Sequence, residues 1–143
     1  MSKRISAFEA KKNMHYHKYL KKGEAFTMDD LEIKQYVDTE KALGRIRGNA
    51  KLFKTLLTHF LATRSQFEQL QKEIAANDRE AASKSVHALK GVAANLSMTK
   101  LYDVSAPFEA LLKTDADATE ILASFNVAYE KTIESVNSIL ATL

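Results

Sequence analysis

The chain has 143 residues, enough for one domain and an extra arm, and its 45% hydrophobic and 27% charged residues favour folding in water over disorder. Four Gly and one Pro are too few turn-formers for a sandwich or barrel, and the lack of Cys excludes disulfides, thiol chemistry and Cys-based zinc sites, which fits a reducing, cytoplasmic setting. The net charge of +3 is uneven: residues 1–22 hold seven Lys or Arg against Glu9 alone, giving +6, while the remainder holds 14 basic and 17 acidic residues, giving −3.

Residues 1–35 read as a basic N-terminal arm, helical or frayed. Clustered positive charge there suits nucleic acid or anionic lipid, although a solvated helix is the plainer reading of a charge run. The opening MSKRISAFEAKKN has no signal-peptide core, and no apolar run approaches the ~18–20 residues of a membrane span. His15 and His17 would point to different sides of a helix, with no further ligand set in view for a metal.

Phe26–Tyr36 reads as a connector with a short helical turn, and the globular domain is expected over residues 36–143. Asp38 or Thr39 can cap a short helix, Glu40–Arg47, closed by Gly48 in a left-handed conformation. Asn49 then opens a long helix predicted to run from Ala50 to about Ala75, with Phe53, Leu56, Leu57, Phe60, Phe67, Leu70 and Ile74 on one face; His59 falls at the boundary of that face. Asn77-Asp78 breaks the run and caps a helix over Arg79–Leu96, whose inward stripe is Ala82, Ser85, Val86, Leu89, Val92, Ala93 and Leu96. Ser97 is placed to end that helix and cap the next, Met98–Lys113, where Pro107 predicts a bend. After a polar break at Thr114–Thr119, a last helix runs to about Ala141. The fold class is all-α: an antiparallel up-down-up-down four-helix bundle with a short capping helix and the basic extension.

Gly91 is anomalous, because a mid-helix Gly costs about 1 kcal/mol relative to Ala. Either another helix packs closely there or something approaches from outside. The helical wheel favours clearance: Gly91 shares the face of His87 with Ser83, Lys84, Lys90 and Ala94, away from the inward stripe. This is one imidazole on a floor of small residues, flanked by two ammonium groups. Histidine nitrogen is a competent nucleophile, and a lysine one turn away attracts a phosphoryl oxyanion as a point charge. No Asp or Glu lies within one turn of His87 on its own helix, so the ring is expected to act without an activating carboxylate.

The stretch SVHALKGVAANLSMTKLYDVSAPFEALLK resembles the active-site region of histidine-containing phosphotransfer (HPt) domains, whose motif is His-x-Leu-Lys-Gly followed by small residues and Asn. His87, Leu89, Lys90 and Gly91 match it, Ala93 fills a small-residue place, and Asn95-Leu96 follow at the right distance. Upstream, Gly48-Asn49, Leu56-Leu57 and Phe60 resemble the family's lead-in; downstream, Leu101, Ser105 and Phe108-Glu109 resemble its Leu-x3-Ala-x2-Leu-Glu pattern. The resemblance covers about Asp38 to Lys113. Val92 stands where Ser or Ala is frequent, Ser97 where Gly is frequent, and Pro107 is unusual.

The resemblance implies a phosphocarrier. His87 would accept a phosphoryl group from a phospho-aspartyl receiver and pass it to a receiver aspartate, with Lys90 stabilising phosphoryl charge and Lys84 a weaker second cation. Gly91, Ser83 and Ala94 would leave room for docking. The partners implied are receiver domains of hybrid sensor kinases and response regulators. No cofactor is expected on this chain, Mg²⁺ being expected on the receiver, and no metal site is expected. With no Gly-rich phosphate loop the chain is not expected to bind ATP or to be a kinase, and a monomer is expected with no small-molecule substrate, nucleic acid or membrane as its main partner. The competing readings are a helical adaptor that binds its partner without phosphotransfer, and a nucleic-acid or membrane-surface protein working through the arm.

Overall fold

The computed structural model describes residues 29–143, which form helices α1 (Asp30–Tyr36), α2 (Thr39–Arg45), α3 (Ala50–Leu61), α4 (Arg64–Ala75), α5 (Arg79–Asn95), α6 (Thr99–Leu112) and α7 (Thr119–Leu140), with no strand among the described residues. The stop signals act largely as their chemistry predicts. Asp38, Asn49 and Asp78 accept from Lys41, Leu52 and Ala81 N–H as N-caps, and Gly48 takes φ +74°, a backbone that Gly adopts at little steric cost. Each of α4, α5 and α6 packs on the helix that follows it, while α3 packs on α7. The shared core holds Phe53, Leu57, Phe60, Leu70, Val86, Leu89, Leu101, Phe108, Phe125 and Tyr129. Packing of these stripes, more than helix propensity, holds such helices together.

Four expectations change. The helix predicted over residues 50–75 is broken at Ala62-Thr63. There the N–H groups of Ala62 and Thr63 bond the carbonyls three residues back, at 3.0 and 2.9 Å, the tighter spacing of a 3₁₀ turn. The Thr63 hydroxyl donates to the Phe60 carbonyl at 2.7 Å and lies 2.7 Å from the Tyr129 hydroxyl on α7. Ser97 ends α5 but does not cap α6. It has φ +55°, the N-cap is Met98, and the buried Ser97 hydroxyl meets no partner among the described residues; the left-handed backbone explains why Gly suits this position. Ser85 and Val92 lie only half inside, and the Ser85 hydroxyl donates to Glu73 at 2.7 Å.

The fourth change concerns the N-terminal side. The arm was expected to reach residue 35, yet α1 packs on α6 and α7, Asp29 and Val37 are buried, and Ile33 packs on the core. The Asp29 side chain caps α1 by accepting from Glu32 N–H at 2.8 Å. An amphipathic turn with its own cap can join the body, so at least residues 29–35 belong with it. His15, His17 and the basic stretch 1–22 lie outside the described residues. Pro107 sits inside α6, which runs from Thr99 to Leu112 without a break.

Candidate functional site

His87 stands midway along α5, with Val86 and Leu89 fully buried on the inward face and Ser83 buried one turn before it. Its side chain is 68% exposed. The inward stripe orients the helix, so the ring is displayed because its neighbours in sequence are anchored. Gly91, one turn on, is open: a Cβ built there meets nothing within 4 Å. Close helix packing therefore does not account for this glycine. Ala94 is half-buried, and its carbonyl accepts from the Arg45 guanidinium at 2.8 Å. Lys84 is largely exposed, 3.9 Å from Glu80. His59 is exposed on α3.

The expectation of an unassisted imidazole is overturned by a residue from the next helix. Glu109 Oε2 lies 2.9 Å from His87 Nδ1. On α6 the inward residues Ser105, Phe108 and Leu112 surround Glu109 at helical spacing, which puts its carboxylate on the margin of the core facing α5. Its side chain is 12% exposed. Lys90 Nζ lies 2.7 Å from the other oxygen, Oε1, and Lys113 Nζ lies 3.6 Å from Oε2. The Lys90 contact is poorly aligned as a hydrogen bond, but at that separation Coulombic attraction does not require alignment.

The Lys90 ammonium first, and the His87 ring after it, hold the Glu109 carboxyl below the usual carboxylate range, against the opposing push of burial. Glu109 in turn raises Lys90 above the usual ammonium value. An ionised carboxylate only accepts hydrogen bonds, so the contact requires a proton on Nδ1, and in a neutral ring Nε2 is then the nitrogen with the free lone pair. Among the described residues no hydroxyl bonds the His87 ring, whereas a hydrolytic triad would place one at Nε2, opposite the carboxylate. Among the described residues no group of three or more His, Cys, Asp or Glu could hold a metal ion, and no helix is long and apolar enough to cross a membrane.

Sequence reasoning named His87, Lys90 and Gly91 but gave Glu109 no role. The available signal was an acid flanked at helical spacing by Ser105 and Leu112, a position where an unpaired carboxylate is costly.

Fold and site together define an all-helical domain that presents one exposed, carboxylate-oriented histidine. The family model of the Hpt domain matches residues 55–138, and the chain belongs to that family of histidine phosphotransfer domains of phosphorelay, two-component signalling. Hpt domains are phosphocarriers, not kinases, and interact with receiver domains of response regulators or kinases. No curated protein and no solved structure is matched by the chain.

Proposed function

We propose that His87 accepts a phosphoryl group from a receiver's phospho-aspartate through Nε2 and passes it to a receiver aspartate. The observation that carries this reading is the 2.9 Å contact from Nδ1 to Glu109 on a ring otherwise open to solvent. Glu109 fixes the ring's tautomer and orientation, a service a partner residue commonly performs for a reactive imidazole.

The transfer balances without a free proton. The Nε2 lone pair forms the N–P bond as the acyl-phosphate P–O bond breaks, and that bond's electron pair leaves on the aspartate oxygen. The ring becomes cationic, and its Nδ1–H faces the Glu109 carboxylate. That charge makes the imidazole a good leaving group for the onward step. Mg²⁺ and a lysine on the receiver would neutralise the phosphoryl oxygens from the partner's side, since phosphoryl transfer depends mainly on in-line positioning and charge.

Gly91 and the small residues near it would provide clearance for the docking receiver. One copy of the chain is enough for this chemistry, and the short connections at 76–78, 96–98 and 113–118 support an up-down-up-down order for α4, α5, α6 and α7.

The test is to mix the protein with a phosphorylated receiver and follow acid-labile label. Wild type should take label and His87→Gln should take none while melting normally, since an amide keeps polarity but lacks the nucleophilic nitrogen. Label that survives the substitution would assign the acceptor elsewhere.

A further inference from the structure

The cation that sequence points to as the phosphoryl partner is already engaged. Lys90 sits at Oε1 of Glu109, with its side chain 25% exposed. His87 and Lys113 share the other oxygen, Oε2. The ring borders an open cavity of about 610 Å³, whose walls include Arg79, Glu80, Ser83, Lys84, Glu109 and Lys113 but not Lys90. Arg79 donates to the carbonyls of Leu111, Leu112 and Ala116, tying down the end of α6 from which Lys113 projects. Lys84 on α5 and Lys113, just past the end of α6, remain largely exposed and flank the cavity.

We propose that Lys113 and Lys84 are the cations that meet the phosphoryl oxygens on His87, and that Lys90 is a positioning residue acting through Glu109. The proposal rests on His87 being the phosphoacceptor. Three features support this division. A phosphoryl group brings almost two negative charges into the cavity, so it seeks ammonium groups not already neutralised at short range. Lys84 has only a 3.9 Å contact to Glu80, and Lys113 only a 3.6 Å contact to Glu109. Lys90, in contrast, holds the carboxylate that holds the ring. Moving it to the phosphoryl group would strip a largely buried carboxylate of its closest cation.

Phosphoramidate is the probe, because it delivers a phosphoryl group without any docking surface. The Nε2 lone pair forms the N–P bond as the donor's own P–N bond breaks, and the amine leaves with that electron pair as ammonia. Lys113→Ala and Lys84→Ala should each slow labelling about two- to fivefold, the scale of a solvent-screened charge contact. Lys113→Arg should restore the rate, and about 1 M salt should erase the difference from wild type. Lys90→Ala should slow labelling in the wild-type background but add nothing once Glu109 is Gln, whereas Lys113→Ala should keep most of its effect there, as expected of coupled and uncoupled pairs.

Unchanged labelling in both Lys113→Ala and Lys84→Ala overturns the proposal. So does a Lys90→Ala loss that persists in the Glu109→Gln background. An effect seen with a receiver donor but not with phosphoramidate would make the two lysines docking residues only, and also overturns it. A wild type that takes no label, or a His87→Gln protein that does, refutes the phosphoacceptor assignment itself and the proposal with it.

Discussion

At Thr63 and Tyr129 a hydrogen bond joins the break between α3 and α4 to α7; at His87 and Glu109 a bond of similar length joins α5 to α6. Each has an ion pair beside it, Arg64 to both oxygens of Glu130 at 2.6 and 2.9 Å in the first and Lys90 to Glu109 in the second. Their surroundings differ. Tyr129 is fully buried, stacked on Phe67 at 4.2 Å between ring centroids, with the Arg64 guanidinium 5.1 Å from its ring. The His87 ring is open on one side, and only its carboxylate partner is covered. A polar contact whose members are all covered fixes a helix junction. One that covers only the anchor leaves the other member free to react.

The difference can be broken first at its buried end. Tyr129→Ala should cost about 3–5 kcal/mol in a denaturant melt, through lost packing and an unpaired Thr63 hydroxyl. The molecules that remain folded should still take label on His87. A destabilisation under 1 kcal/mol would show that the junction does not depend on this ring.

At the open end the balance reverses. Glu109→Gln should slow labelling about tenfold, since an amide orients the ring less firmly than a charged acceptor, and should lower the melting temperature at neutral pH far less than Tyr129→Ala does. Acid sharpens the point. Because the folded carboxyl is held below its ordinary value of 4.5, its contribution to stability is fully present above that value and is lost as pH falls through the depressed one. Any stability gap between wild type and Glu109→Gln should hold from pH 7 to about 5 and narrow below that. A gap that widens in acid would mean the carboxyl is held above its ordinary value instead.

The smallest effect on transfer chemistry belongs to Gly91. With nothing near a Cβ there, Gly91→Ala should raise stability by about 1 kcal/mol, the helix-propensity difference. Gly91→Gln should fold equally well and slow transfer from a receiver while leaving phosphoramidate labelling unchanged. Loss of stability in both variants would restore the close-packing reading.

The same contrast separates what the sequence made legible from what it did not. The apolar stripe of α5, the caps at Asn49 and Asp78, the left-handed Gly48 and the exposure of His87 all follow from spacing within one segment. The break at Ala62-Thr63 has no Gly or Pro to announce it. It is coupled to a hydroxyl 66 residues away in sequence, and no local pattern encodes that distance. Glu109 was missed for the same reason, as it reaches His87 from another helix. The junction of α1 with α6 and α7 is likewise tertiary, and residues 26–36 taken locally read only as a connector with a short helical turn.

If Glu109 holds the Nδ1 proton, Nε2 is left to carry phosphorus. Nitrogen-15 NMR of the His87 ring, recorded before and after phosphorylation, reads both halves in one sample. The expected result is a proton on Nδ1 in the free protein and phosphorus on Nε2 afterwards, with the Nδ1 proton retained. Phosphorus on Nδ1, or a free ring protonated only on Nε2, would contradict it.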